Sequence, residues 1–111
     1  MYKPLPDGLM IKSSNVQGMG LFATRSFDAN IVLGVSHIAN PNFPHGHIRT
    51  ALGAFYNHSD NPNCVTLSGF WHQISVLYLV TTQLIVSGEE LLSKYTLYDL
   101  EEFHRLEELP K

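Results

Sequence analysis

Three short polar stretches hold the residues of this chain that could do chemistry. They are Gly18-Met19-Gly20, then Asn57-His58-Ser59 with its exit at Pro62-Asn63, and finally Gly88-Glu89-Glu90 leading into Tyr95. Glycines let a turn bring its backbone N–H and C=O groups close to a ligand, and an asparagine offers both a donor and an acceptor. The last two stretches bracket a strongly apolar β segment, and the functional hypothesis is that the fold gathers all three stretches into one pocket.

Each stretch also has a purely structural interpretation. Glycines between two strands commonly serve a positive φ angle, and Asn and Ser in a loop commonly cap their own backbone. A tyrosine at the end of a strand is usually buried with its hydroxyl hydrogen-bonded. The functional prediction therefore depends on the combination and order of the three stretches.

In order and approximate spacing, the three stretches resemble the SET domain, whose best-known members transfer a methyl group from S-adenosylmethionine to a protein lysine. The resemblance covers roughly residues 9–95. It implies that Gly18, Met19 and Gly20 lie against the methionine part of the cofactor. It also implies that Asn57 and the backbone of His58 hold the adenosine and amino-acid ends, and that Tyr95 is the catalytic tyrosine.

The resemblance extends to aromatic residues beside these stretches. Phe55 and Tyr56 precede the asparagine, and Tyr98 and Phe103 follow the tyrosine, where the family commonly supplies an aromatic wall to the cofactor or lysine channel. All four are therefore candidates for lining the substrate channel. For Phe103, packing of a terminal helix on the sheet is the simpler interpretation.

Several positions depart from the family pattern. Lys94 stands where Asp or Asn is usual, and Asp60 replaces a frequent cysteine, which removes one ligand of the zinc site of some members. No Cys-x-Cys cluster follows Tyr95, and the close pair His45 and His47 lacks a third ligand in the sequence. We therefore expect neither zinc nor another metal.

Composition narrows the class of protein. The 111 residues suffice for one domain over 1–111, with 44% hydrophobic and 15% charged residues. A net charge of −3 disfavours nonspecific nucleic-acid binding, and the single Cys64 cannot form an internal disulfide. No apolar run approaches the ~20 residues that span a bilayer. We expect a soluble intracellular protein, in the cytoplasm or nucleus.

The residue patterns predict a mainly β fold with short helices. Predicted strands cover 9–12, 20–27, 31–38, 64–67, 70–80 and 83–86, with a last extended piece at 91–95, and the first two are expected to pair. Ser68-Gly69 is the predicted turn of a hairpin whose second arm is the central strand, and 48–55 stays ambiguous between helix and loop. An amphipathic helix is predicted at about 97–108. Strand patterning alone would also fit a small barrel or sandwich, whereas the resemblance implies a β-clip of small curved sheets with a carboxyl-terminal pseudoknot.

The sequence is consistent with two functions, one of an enzyme and one of a binding module. The first is a protein-lysine methyltransferase that uses S-adenosylmethionine, releases S-adenosylhomocysteine and acts on a protein or peptide, histone-like proteins among them. The second is a binding module that keeps the SET fold without catalysis, favoured by Lys94 and by the short stretch between Ile38 and Asn57. Compact members resemble viral or bacterial SET proteins, some of which complete their groove by dimerising, so a homodimer is expected.

Overall fold

The described part of the chain folds into three small sheets and one short helix. A computed structural model describes residues 5–43 and 46–94, so the predicted helix at 97–108 and Tyr95 lie outside the described residues. The elements are β1 (Leu9–Ser13), β2 (Met19–Ala23), β3 (Val32–Ala39), β4 (His47–Arg49), α1 (Ala51–Phe55), β5 (Asn57–His58), β6 (Cys64–Trp71), β7 (Ile74–Thr81) and β8 (Leu92–Ser93). The prediction of a mainly β fold is confirmed. No helix in the described part of the chain is long and apolar enough to cross a membrane.

A four-stranded antiparallel sheet forms the largest unit, in the order β4-β3-β7-β6. The predicted central strand is confirmed, because β7 pairs with a neighbour on each side and buries Val76, Leu77 and Leu79 almost completely. β1 and β2 form an antiparallel pair, as predicted, and β5 pairs in parallel with β8. The two small sheets carry the polar stretches, and the large sheet supplies part of the core behind them.

The hairpin turn between β6 and β7 lies at His72-Gln73, so the predicted turn at Ser68-Gly69 is wrong. His72 and Gln73 both have positive φ angles, 48° and 68°, the combination that type I′ hairpin turns require. Gly69 continues the strand because the Tyr78 ring covers it: a Cβ there would lie 2.8 Å from Tyr78 Cε2. Gly69, which the sequence pattern assigned to a turn, is thus a glycine because of packing between the two strands.

Two further strand predictions need correction, and one stretch left open is settled. The strand predicted at 20–27 ends at Ala23, whose N–H donates to the Glu89 carbonyl. The predicted strand 83–86 contributes only an isolated bridge between Ile85 and Phe27. Residues 48 and 49, which the pattern left ambiguous, join His47 in β4 at the edge of the large sheet. In each case pairing with a distant segment set the boundary, which local propensity does not report.

The ambiguous stretch before Asn57 includes the single short helix of the described residues. Thr50 caps α1 by accepting a hydrogen bond from the Gly53 N–H, and its hydroxyl donates to the Val35 carbonyl at 2.7 Å. Gly53 packs on β3, where a Cβ would overlap the Ser36 carbonyl. At Tyr56 the backbone becomes extended, and the chain enters β5 with Asn57 as its first residue.

His37 is a fully buried histidine in β3, beside the helix. The Ser36 hydroxyl donates to the Leu77 carbonyl at 3.1 Å, so its oxygen accepts from His37 Nδ1 at 2.8 Å and leaves Nε2 as a bare acceptor. The rings of His47 and Tyr56 pack edge-on against it, with centroids at 6.2 and 6.3 Å. Burial, and then the charges of His47 and Arg49, lower the pKa of His37 to about 4.

The buried neutral His37 should make stability depend on pH. The unfolded state, with an ordinary histidine pKa near 6.5, binds the proton first, so the free energy of unfolding should fall from about pH 6.5 towards pH 4. The loss attributable to His37 is roughly 2 kcal/mol between pH 7 and pH 5. Urea unfolding of wild type and His37→Gln should show the variant less stable at pH 7, with the gap closing by that amount at pH 5. His72→Asn, in the exposed turn, serves as the control, and a gap that stays constant with pH would contradict the assignment.

Candidate functional site

The side-chain amide of Asn57 joins the three polar stretches. Asn57 is 6% exposed, and its Nδ2 donates to the Gln17 carbonyl at 3.1 Å and the Met19 carbonyl at 3.2 Å. The same nitrogen donates to Glu90 Oε2 at 2.7 Å. Its two hydrogens thus serve three acceptors from two distant segments. The structure therefore brings the glycine turn, the mid-chain asparagine and the segment before Tyr95 to one point.

The loop that precedes β2 is organised around Ser14. Its hydroxyl oxygen accepts from the N–H groups of Val16 at 2.9 Å and Gln17 at 3.4 Å, and its hydrogen is shared between both carboxylate oxygens of Glu90 at 2.8 Å. The Ser14 N–H closes the loop by donating to the Gly18 carbonyl. We call Ser14, Asn57 and Glu90, with the loop carbonyls they hold, the polar junction.

The two glycines of the first stretch serve different purposes. Gly18 lies in the turn with φ at 49°, and a Cβ there would meet nothing within 4 Å, so this side of the turn is open. Met19 and Gly20 already belong to β2, paired with Ser13 and Lys12, so of the two glycines only Gly18 lies in the turn. A Cβ on Gly20 would overlap the Glu90 carboxylate. This glycine is therefore required by a protein side chain.

The carbonyl groups of the turn are used inside the protein. Those of Gln17 and Met19 accept from Asn57, and that of Gly18 accepts from the Ser14 N–H. The resemblance to the SET domain implies a turn that offers its backbone to a ligand. The structure shows that the protein itself already holds three of these groups in fixed orientations.

Glu90 belongs to the polar junction, although the residue patterns did not mark it as a candidate site residue. It is half-buried, whereas the adjacent Glu89 is exposed and caps the local turn, with Oε1 accepting from the Val86 N–H at 2.7 Å. Nothing in the spacing distinguishes the two glutamates. The difference arises from alternation, since the chain becomes extended at residue 90 and bridges Phe22 of β2.

Asn63 fixes the segment that leads to Tyr95. Its Nδ2 donates to the Glu90 carbonyl at 2.9 Å, its Oδ1 accepts from the Leu92 N–H at 2.8 Å, and its own N–H donates to the Leu92 carbonyl at 3.0 Å. The side chain thus acts as an additional strand partner beside the two-residue pair of β5 and β8. β8 ends at Ser93, two residues before Tyr95.

The remaining predicted site residues are distributed around this junction. His58 follows Asn57 in β5, with its side chain 39% exposed and Nε2 3.4 Å from Asp60 Oδ1. Phe55 is half-buried at the end of α1, and Tyr56 is 3% exposed with its ring against His37. The catalytic candidate Tyr95 and the channel candidates Tyr98 and Phe103 lie outside the described residues.

Residues 5–43 and 46–94 contain no group of three His, Cys, Asp or Glu side chains that could hold a metal ion. Cys64 is 1% exposed, and burial raises the pKa of its thiol to about 12. A thiol so far from ionisation at neutral pH is neither a nucleophile nor a metal ligand. Its side chain belongs to the core.

The close fit of Glu90 against Gly20 gives a direct test of the junction. Gly20→Ala should destabilise the protein by about 1–3 kcal/mol, because the new methyl group must displace the carboxylate. In a Glu90→Ala background the same substitution should cost much less, since the obstructing atoms are gone. Chemical unfolding of the two single variants and the double variant measures this coupling, and strictly additive costs would contradict the geometry. Gly18→Ala, where the space is open but φ is positive, is the control, with the same cost in both backgrounds.

Comparisons with known proteins support this architecture. The family model for the SET domain matches residues 34–96, which is more than half of the chain. A comparison with curated proteins by sequence gave no match. The matched range includes Asn57, Asn63, Glu90 and Tyr95, although the glycine turn lies upstream of it.

Solved structures share the fold at low sequence identity. A Plasmodium falciparum protein named as a candidate histone methyltransferase superimposes with a TM-score of 0.68 and 20% identity, covering 79% of this chain and 92% of that one. An inhibitor-bound, humanized mutant of Chaetomium thermophilum Polycomb Repressive Complex 2 gives 0.67 and 16%, covering 81% of this chain. An apo form of that complex with two mutations in Ezh2 gives 0.66 and 15%, covering 89%. This chain spans only 15% and 16% of those last two chains. The family match and the shared fold agree: the chain belongs to the SET domain family.

Proposed function

We propose that this protein is a protein-lysine methyltransferase that uses S-adenosylmethionine. The observation that carries the proposal is the junction at Asn57, which holds the turn at Gly18 beside the strand that ends just before Tyr95. In-line methyl transfer needs a cofactor and an amine held in one alignment. An arrangement that fixes the turn and the approach to Tyr95 relative to each other meets that need.

Exposed groups at the turn, and the exposed side chain that follows Asn57 in the chain, fit the cofactor. Gly18 presents unobstructed backbone, Met19 is 48% exposed, and the His58 side chain is 39% exposed. Polar backbone groups beside half-exposed apolar and aromatic side chains suit a ligand that has a zwitterionic amino-acid end and a flat purine. The amide nitrogen of Asn57 is engaged within the protein, so its direct contacts with the cofactor fall to Oδ1 and the backbone. When bound, the cofactor supplies the electrophilic methyl group.

The chain's own residues would then orient the substrate amine. A lysine has a pKa of about 10.4 and must lose its proton before it can attack. An apolar channel lowers that pKa by desolvation, so no dedicated base is needed. The Tyr95 hydroxyl would align the amine with the methyl group, and the channel would exclude water. Alignment of this kind can lower the activation free energy by on the order of 7–11 kcal/mol.

The substrate class follows from the same chemistry. A chain with a net charge of −3 suits a cationic lysine peptide, and histone-like proteins are one such source. Phe55, Tyr98 and Phe103 are the aromatic residues proposed for the channel, with Tyr56 behind Phe55 in the core. A single domain over 1–111, a homodimer that completes the groove, and a location in the cytoplasm or nucleus stay predictions.

A catalytically silent SET-fold module is the second candidate. The stretch between β3 and β5 contains only β4 and α1 among its described residues, which leaves little structure to recognise a substrate. Lys94, exposed after β8, also departs from the acid or amide that the resemblance leads us to expect. Such a module would bind the cofactor or a peptide without transferring a methyl group.

Tyr95→Phe separates binding from chemistry. The variant should bind S-adenosylhomocysteine within about twofold of wild type, because the hydroxyl contributes to alignment rather than to cofactor affinity. Its methyl transfer to lysine peptides should fall by about 100-fold or more, the usual cost of losing one oriented donor. Calorimetry and transfer of a labelled methyl group measure the two properties.

The matched control is Tyr78→Phe, which removes a hydroxyl that donates to the Phe70 carbonyl in the hairpin. It should keep full transfer activity. Wild type that binds the cofactor but transfers nothing to a broad peptide panel would favour the silent module. Full activity in Tyr95→Phe would refute the role of Tyr95.

A further inference from the structure

Glu90 accepts hydrogen bonds from both sides of the polar junction. The Ser14 hydroxyl lies 2.8 Å from each carboxylate oxygen, and Asn57 Nδ2 lies 2.7 Å from Oε2. Its backbone is fixed as well, because the carbonyl accepts from Asn63 and the residue bridges Phe22. A half-buried carboxylate that is held in this way has little freedom to move.

The carboxylate completes the hydrogen bonding that Asn57 begins. Without Glu90, the side chain of Asn57 still connects β5 to the carbonyls of Gln17 and Met19. Glu90 adds the connection to Ser14, whose oxygen already organises the loop through Val16 and Gln17. Hydrogen bonds to an ionised carboxylate are about twice as strong as neutral ones. Loop and asparagine are therefore held to one charged group.

We propose that Glu90 is a positioning residue of the cofactor site. Its carboxylate sets the position of the Gly18 turn relative to Asn57, and it does so without contacting the cofactor. The glycine at position 20 supports this role, because the absence of a Cβ there admits the carboxylate to the junction. This inference depends on the proposed function, since it concerns how the cofactor is bound.

An amide cannot replace the carboxylate here. Ser14 donates to both oxygens of Glu90 and Asn57 donates to Oε2, so a glutamine with its oxygen in the place of Oε2 would turn its NH₂ group towards the Ser14 oxygen. The Ser14 oxygen already accepts two backbone N–H groups and is poorly placed to accept a third hydrogen. Glu90→Gln should therefore lose one of the two connections while keeping the size of the side chain.

The experiment compares Glu90→Gln with Glu89→Gln, a change of the same chemistry at the next residue. Glu89 is exposed, and glutamine there keeps the oxygen that accepts from Val86. Calorimetry with S-adenosylhomocysteine, well below the unfolding temperature of each protein, should show Glu90→Gln binding about tenfold or more weakly. Glu89→Gln should bind as wild type does.

A second measurement detects positioning in the absence of any ligand. In ¹⁵N NMR spectra of the free protein, Glu90→Gln should shift the backbone signals of residues 17–19 and speed the hydrogen exchange of the Asn57 side-chain NH₂. Glu89→Gln should change neither. A residue that served stability alone would lower the unfolding temperature and leave these signals and the affinity as they are.

The outcomes separate the two proposals. If wild type binds the cofactor product and Glu90→Gln binds it equally well, the positioning role is wrong and the proposed function stands. If wild type does not bind S-adenosylhomocysteine, the positioning role and the proposed function are both wrong. Should Glu90→Gln fail to fold, Ser14→Ala decides, because it removes the partner hydroxyl while keeping the carboxylate. Weaker binding with shifted signals for residues 17–19 supports the role, and unchanged binding refutes it.

Discussion

The hydrogen bonds of the Asn57 amide are the interaction on which the site depends. A buried amide without partners is costly, so Asn57 stabilises the fold only where acceptors from other segments meet it. Those acceptors come from the loop before β2 and from Glu90, on either side of it in the sequence. Satisfying one side chain therefore requires the three polar stretches to meet. The hydrogen bonds that satisfy Asn57 are thus the same ones that assemble the site.

Asn63 strengthens the contact between the segments of β5 and β8, which form only a two-residue parallel pair. Parallel strands need a long crossover, and here that connection contains the whole β6–β7 hairpin. Two residues of pairing would hold such a connection weakly. The amide of Asn63 adds two hydrogen bonds and its backbone a third, which extends the contact from residue 90 to residue 92. These three hydrogen bonds thus hold the segment that leads to Tyr95, although β8 has only two residues.

Residue types and spacing were enough to predict the β fold, the pairing of β1 with β2 and the central position of β7, because alternation and apolar length report burial directly. They were not enough to place the hairpin turn, since Gly69 is a glycine for packing under Tyr78. The same limit hid Glu90: its neighbour Glu89 has identical chemistry, and only the register against β2 sends one side chain inwards. The role of Asn57 in holding a cofactor stays a prediction, and the hydrogen bonds of its side-chain amide in the structure lie within the protein.

Both flanks of Asn57 are anchored by close backbone contacts, and this bears on how the site would bind a ligand. On one side α1 packs on β3 through Gly53, with Thr50 bonded to the Val35 carbonyl. On the other side Asn63 is bonded to the strand that follows Glu90. The turn carbonyls are satisfied in the same arrangement, so the open side of Gly18 would already be in place for the proposed cofactor. Binding to a site ordered in advance avoids the entropy cost of ordering a loop, which in a small domain would consume much of the available affinity.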